Sequence, residues 1–111
     1  MLDESRGTAL LKERFEQAGY KIWSNYPWQA EGVSAQLDGF DPDALVGYEF
    51  ITTSAGDRAE ITAAVVDTLE RLAEEGRVYV LLVDEVEAPD EETLGEAAGR
   101  FLAEVARRRA G

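Results

Sequence analysis

Two acidic residues on neighbouring predicted strands are the side chains in this sequence best placed to bind a divalent cation. Asp38 lies at the end of the alternating stretch Val33–Phe40, and Glu49 lies inside the next stretch, Val46–Thr53. Hard cations such as Mg²⁺ or Mn²⁺ prefer charged oxygen ligands that converge. The same residues also have a structural interpretation: Asp38 precedes Gly39 and would open a turn, and Glu49 would lie on a solvated sheet face.

The residue types that are missing restrict the chemistry further. The sequence contains no cysteine and no histidine. Disulfides, thiolate metal sites, imidazole bases and His-Asp triads are therefore excluded. Any reaction would have to use Asp, Glu, Lys, Arg, Tyr, Ser or Thr.

The charge balance is strongly acidic, with 11 basic and 23 acidic residues and a formal net charge of -12. Such a field repels nucleic acid and anionic membranes at long range and attracts basic partners. It is equally typical of a protein whose charge serves only solubility.

Aromatic residues are concentrated in one predicted strand, at Trp23, Tyr26 and Trp28. Aromatic side chains dominate both protein cores and the centres of protein interfaces, so the sequence leaves both interpretations open. Together with Asp38 and the following loop acids Asp41 and Asp43, these aromatics form the predicted partner-binding surface. Acidic groups there would steer a basic or amphipathic protein.

Hydrophobic periodicity predicts three helices. The first spans Ser5–Ala18 and stops at Gly19. The second spans Asp57–Glu75, with Asp57 as N-cap and Glu60 completing a capping box, and ends at Gly76. The third begins after Asp90 and carries Arg107, Arg108 and Arg109 in its last turn, which is favourable beside the negative end of a helix.

Four extended segments complete the pattern: 20–31, 33–40, 46–53 and 77–86. Pro27 removes a backbone donor, so the first strand is predicted at a sheet edge or bent. The last strand contains the continuous apolar run Val78–Val83, which predicts burial on both faces. The order predicts a single α/β (α+β) domain over residues 1–111, an α-β-β-β-α-β-α sandwich whose small mixed sheet is flanked by helices.

Neither a membrane span nor a secretory signal is expected. The longest apolar run is too short to cross a bilayer, and no basic segment followed by an apolar one opens the chain. We therefore expect a cytoplasmic protein.

The element order, with acids on the second and third strands, resembles the PD-(D/E)XK nuclease-like superfamily. The resemblance places the family's aspartate on Asp38 and its second acid on Glu49, with Phe50 as spacer. It implies a site for Mg²⁺ or Mn²⁺, with the acidic residue that some members add on the first helix at Glu13 or Glu16. The family's lysine position falls on Ile51, which neither orients water nor neutralises charge; Lys21 and Arg58 are the candidate replacements.

The combined expectation is a non-catalytic, acidic protein-binding domain on a degenerate nuclease-like fold, such as a small inhibitor or immunity-type protein or an accessory subunit. Two alternatives stay open. One is a metal-dependent nuclease or phosphodiesterase that uses Asp38 and Glu49. The other is a homodimeric scaffold joined through an exposed strand edge or a helix face.

Overall fold

The computed structural model of the chain describes residues 2–52 and 61–111. Within these ranges the helices and strands follow the predicted order α-β-β-β-α-β-α. The elements are α1 (Glu4–Gln17), β1 (Trp23–Ala30), β2 (Val33–Asp41), β3 (Val46–Ile51), α2 (Ala63–Glu74), β4 (Tyr79–Asp84) and α3 (Glu91–Ala110). The predicted α+β class is confirmed. None of the helices in the described ranges combines the length and the apolar character needed to cross a membrane.

One mixed sheet with the strand order β1-β2-β3-β4 forms the centre of the fold. The pairs β1–β2 and β2–β3 are antiparallel, and β3–β4 is parallel. The predicted hairpin of β2 and β3 is thereby confirmed, and so is the edge position of β1, which contains Pro27. Parallel pairing of β3 and β4 requires a crossover, and α2 lies in that connection.

Helices cover the sheet on both faces, as predicted. On one face, α1 and α3 pack on β3 and β4 around Phe15, Tyr48 and Val105. On the other face, α2 packs on β2 and β4 around Leu37 and Leu69. The alternation of Val46, Tyr48 and Phe50 with Gly47 and Glu49 follows from this arrangement, because successive residues of a strand point to opposite faces.

The helix ends agree with the predicted local signals. Asp90 caps α3 by accepting a hydrogen bond from the N–H of Thr93 at 2.8 Å. Gly19 and Gly76 follow α1 and α2 with φ of 100° and 74°, a conformation that favours glycine. In the structure α2 begins after Thr62, whose hydroxyl accepts from the N–H of Val65 at 3.3 Å.

Some predicted features lie outside the described residues. These are the capping residues Asp57 and Glu60, the end of the third strand at Thr53, and the candidate cation Arg58.

Two structural interpretations drawn from the sequence were wrong. The turn expected at Asp38 and Gly39 does not occur there, because β2 continues to Asp41 and the chain turns over residues 42–45. Glu49 does not lie on a solvated sheet face, because its side chain is buried.

The apolar run of the last strand packs on both faces, as predicted. Tyr79 and Val83 belong to the core on the side of α1 and α3, and Val80 and Leu82 pack against the core on the side of α2. Because β4 forms the sheet edge opposite β1 within the described residues, Val80, Leu81 and Leu82 are only half-buried.

Candidate functional site

Asp38 and Glu49 meet across β2 and β3, where the backbone ladder ends at the pair Gly39–Tyr48. Glu49 Oε1 accepts a hydrogen bond from the N–H of Asp38 at 2.8 Å. Asp38 Oδ2 accepts one from the N–H of Phe50, also at 2.8 Å. These reciprocal bonds extend the pairing of the two strands by one step beyond the ladder.

This geometry brings the two predicted metal ligands together but engages both of them with the backbone. Glu49 is buried, with 1% of its surface exposed. In residues 2–52 and 61–111 no group of three or more acidic, histidine or cysteine side chains is arranged to hold a metal ion. The described residues therefore supply, at this point of the sheet, two carboxylates that already accept backbone hydrogen bonds.

A polar cleft of about 240 Å³ opens beside Asp38, between α1, β1 and β3. Its lining residues are Glu4, Thr8, Ala9, Lys12, Ser24, Asn25, Asp38 and Tyr48. Glu4 Oε2 accepts a hydrogen bond from the hydroxyl of Thr52 at 3.0 Å, which links the start of α1 to the end of β3. An acid, an ammonium and a phenol thus face one small space.

Tyr48 forms the floor of this cleft because its ring lies across Gly39. A Cβ atom at residue 39 would come within 2.3 Å of Tyr48 Cζ, so only glycine fits there. Burial, assisted by the negative charges of Asp38 and Glu16, raises the pKa of Tyr48 far above its ordinary value. The phenol therefore stays protonated and is a hydrogen-bond donor.

Of the two cations suggested by the sequence, Arg58 lies outside the described residues and Lys21 lies away from the cleft. Ile51 ends β3 and is half-buried. Lys21 lines a second cavity, together with Glu16. Lys12 on α1 is the lysine that lines the cleft beside Asp38.

Asp41 organises the turn between β2 and β3. Its carboxylate accepts hydrogen bonds from the N–H groups of Lys21 at 2.9 Å, Asp43 at 3.0 Å and Ala44 at 3.1 Å. Burial opposes ionisation, but these three donors and the nearby charge of Lys21 together hold the pKa of Asp41 below its ordinary value. Asp41 is 6% exposed, whereas Asp43 points to solvent.

The three aromatic residues of β1 have different environments. Trp28 is 5% exposed and packs in the core beneath α2. Tyr26 is half-buried, with its ring centroid 5.0 Å from that of Phe40. Trp23 is 64% exposed, so it is the aromatic of this strand that solvent reaches most freely.

Trp23 borders the second cavity, of about 480 Å³, which Glu16, Tyr20, Lys21 and Ile22 also line. In the sheet register Trp23 lies opposite Phe40, immediately before the turn that exposes Asp43. We call Trp23, Glu16 and Lys21, which line this cavity together, the Trp23 surface. It combines one large exposed aromatic with one acidic and one basic side chain.

No family model, no curated protein and no solved structure matches the chain. The resemblance to the PD-(D/E)XK superfamily accordingly stays a prediction. Interpretation of the site depends on the contacts above.

Sequence reasoning missed the contribution of α1 to the cleft. Glu4, Thr8 and Lys12 recur every four residues, which places them on one face of a helix. This polar stripe is the feature of the sequence that could have indicated that α1 lines the cleft. The helix acids singled out instead are directed elsewhere: Glu13 is exposed and accepts a hydrogen bond from Gln17, and Glu16 lines the second cavity.

Proposed function

We propose that this chain is a non-catalytic protein-binding domain, of the inhibitor, immunity or accessory-subunit kind, that docks a basic or amphipathic partner on the Trp23 surface. The observation that carries the proposal is the 64% exposure of Trp23 beside a cavity. Tryptophan is enriched among the residues that dominate binding energy at interfaces. An isolated exposed tryptophan gains by insertion into a partner's apolar pocket.

Charge supports the choice of partner. The chain carries a net charge of -12, although the Trp23 surface itself holds one acid, Glu16, beside one base, Lys21. Negative charge speeds encounter with a basic partner and disfavours acidic competitors. The predicted signature is an on-rate that falls as salt rises, because the Debye length shrinks to about 10 Å at 0.1 M.

A photo-crosslinking amino acid at position 23 tests the proposal in cells of the source organism. Val86 provides a matched control position, since it is an apolar residue that is 77% exposed near the end of β4. The expected result is that a protein other than a second copy of this chain is captured from position 23 and not from position 86. That protein, once purified, should bind the wild-type chain.

Binding constants then decide the role of the tryptophan. Trp23→Ala should weaken binding of the captured protein about tenfold or more, mainly through a faster off-rate, while Val86→Ala leaves it unchanged. Equal capture at both positions, or unchanged affinity of a folded Trp23→Ala variant, would remove the Trp23 surface as the binding site.

The cleft beside Asp38 favours a second candidate, a metal-dependent nuclease or phosphodiesterase that uses Asp38 and Glu49. Lys12 would supply the cation that Ile51 lacks, from α1 rather than from β3. We rank this below protein binding because both carboxylates already accept backbone hydrogen bonds.

We expect no cleavage of DNA or RNA by the pure protein with Mg²⁺ or Mn²⁺. Metal-dependent cleavage that is lost in Asp38→Ala and Lys12→Met, and kept in Asp43→Ala, would reverse the ranking.

A further inference from the structure

The outer edge of β4 presents backbone groups that no strand in residues 2–52 or 61–111 pairs with. The N–H of Tyr79 donates to the carbonyl of Leu45 at 2.9 Å, so Tyr79 turns its backbone toward β3. Because these directions alternate along a strand, Val80 and Leu82 turn their N–H and C=O groups outward. The edge is thus a template for another strand.

The side chains of this edge are apolar, unlike those of a protected edge strand. Val80, Leu81 and Leu82 are half-buried, in a run whose composition is typical of an interior strand. The edge at β1 is different: Asn25 there has a φ of 53°, and Pro27 lacks a donor. Both features discourage strand addition at β1, and neither is present in β4.

Opposite charges flank the two ends of the β4 edge. At its start lie Arg77, which is ion-paired with Glu75 at 3.1 Å and with Glu31 at 3.5 Å in its own chain and would exchange these exposed partners on dimerisation, and Arg109, whose guanidinium stands 5.1 Å from the ring centroid of Tyr79. At its end lie Glu85 and Glu87. A strand that pairs in antiparallel orientation with the same charge order would place opposite charges together at both ends, and a second copy of this chain has that order.

We propose that two copies of the chain pair through their β4 edges, antiparallel about a two-fold axis at Leu81, to form one continuous sheet. In this register Leu81 faces its counterpart, Val80 faces the second copy's Leu82, and Arg77 faces the second copy's Glu85. Each hydrogen-bonded pair exchanges two backbone bonds, so the two symmetric Val80–Leu82 pairs form about four. The interface uses the edge opposite β1, so it is independent of the proposed function at Trp23.

Single cysteine variants test the register, because the chain has no cysteine of its own. In a non-hydrogen-bonded antiparallel pair the Cα atoms are about 4.5 Å apart, within the range that a disulfide spans. Leu81→Cys should therefore form a covalent dimer under mild oxidation. Val80→Cys, also half-buried, should do so much more slowly, because its counterpart is displaced along the strand. Fast crosslinking of Val80→Cys instead, or equal crosslinking of exposed Val86→Cys, would overturn the proposed pairing.

Sedimentation equilibrium tests the association without any crosslink. The wild-type chain should pass from one chain mass toward two between about 1 and 300 μM in 0.15 M salt, where the Debye length is about 8 Å. Arg77→Glu should raise the dissociation constant about fivefold or more, because the two-fold axis makes the contact between Arg77 and the second copy's Glu85 occur twice in each dimer. Arg100→Glu, an exposed site on α3, and Arg71→Glu, which loses ion pairs with the same two acids that Arg77 contacts, make the same change in net charge and should have no such effect.

Adding Glu85→Arg to Arg77→Glu should restore the association. A wild-type chain that stays monomeric over the whole concentration range, or equal effects of Arg77→Glu and Arg100→Glu, would refute the dimer.

Discussion

At Asp38 and Glu49, each carboxylate accepts a backbone N–H from the neighbouring strand, so these side chains carry part of the pairing of β2 and β3. Hydrogen bonds to an ionised acceptor are shorter and stronger than neutral ones. Two acids that suggest a metal site in the sequence therefore have a structural role, whether or not they also have a chemical one.

Glu49→Ala should destabilise the fold because it leaves the part-buried N–H of Asp38 without this acceptor. The expected loss in free energy of unfolding is on the order of 1–3 kcal/mol. Urea denaturation followed by circular dichroism measures it. Glu96→Ala, on the exposed face of α3, is the control and should change stability by no more than about 0.5 kcal/mol. Equal effects of the two substitutions would show that the hydrogen bond contributes nothing.

Asp41 should make the stability of the chain depend on pH. Its folded-state pKa lies below the ordinary value of 3.8, so the unfolded chain binds the proton first. The stabilisation is complete above that ordinary value and is lost as the pH falls through the lowered pKa. Asp41→Asn keeps an acceptor oxygen but does not titrate.

The difference in free energy of unfolding between wild type and Asp41→Asn, measured from about pH 6 down to pH 3, is the observable. It should shrink on acidification. A constant difference would mean that the carboxylate charge of Asp41 is not what stabilises the turn.

At the scale of the elements, what the sequence predicted well depends on local signals. Asp90, Gly19 and Gly76 mark helix ends by their own backbone chemistry, and the structure confirms each of them. The position of β4 in the sheet depends instead on which strands pair, a non-local outcome that an apolar run does not encode. Composition predicted a strand covered on both faces, and the pairing order placed it at a sheet edge, where Val80, Leu81 and Leu82 are half-buried.

At the candidate site, too, the sequence predicted what depends on local pattern and did not predict what depends on packing between elements. Alternation predicted that Asp38 and Glu49 would lie on adjacent strands. It did not predict that Lys12 would line the cleft, because the face that α1 turns toward the sheet is set by packing. Nor did it distinguish exposed Trp23 from buried Trp28, which lie on one strand and differ in what covers them.

Two Gly→Ala substitutions should have opposite effects on stability, one where β2 and β3 approach closely and one on the exposed face of α3. Gly39→Ala should destabilise by about 1–3 kcal/mol, because the new methyl group would force the buried ring of Tyr48 to move. Gly99→Ala should stabilise by about 0.5–1 kcal/mol, because it removes the backbone freedom of glycine within α3. At residue 99 a new Cβ meets nothing within 4 Å.

Thermal and urea unfolding of both variants measure the contrast. A Gly39→Ala protein as stable as wild type would show that the Tyr48 ring relaxes freely, which the tight floor of the cleft argues against.

At the scale of the whole molecule, the acidic residues far outnumber the basic residues that could form ion pairs with them. Ion pairs such as Arg6–Glu91 and Arg71–Glu31 join exposed side chains, and solvent screening leaves pairs of this kind little effect on stability. The 11 basic residues leave 12 of the 23 acidic residues uncompensated in the formal charge balance. Self-repulsion in the compact state therefore outweighs the surface pairs, and screening it should stabilise the fold.

Salt should accordingly raise the urea midpoint of unfolding between about 0.01 and 0.15 M NaCl, as the Debye length falls from about 30 Å to about 8 Å. A variant that combines Asp67→Asn, Glu74→Gln and Glu96→Gln removes three exposed acidic charges and no ion pair shown by the described residues. Its midpoint should already be higher at low salt and should rise less with added salt. Urea is the right denaturant because it is uncharged, so the denaturant itself does not screen the charges and the effect of added salt can be measured separately. If the variant and the wild type respond alike, or if salt lowers the wild-type midpoint, local ion pairs rather than the net field of the molecule govern its stability.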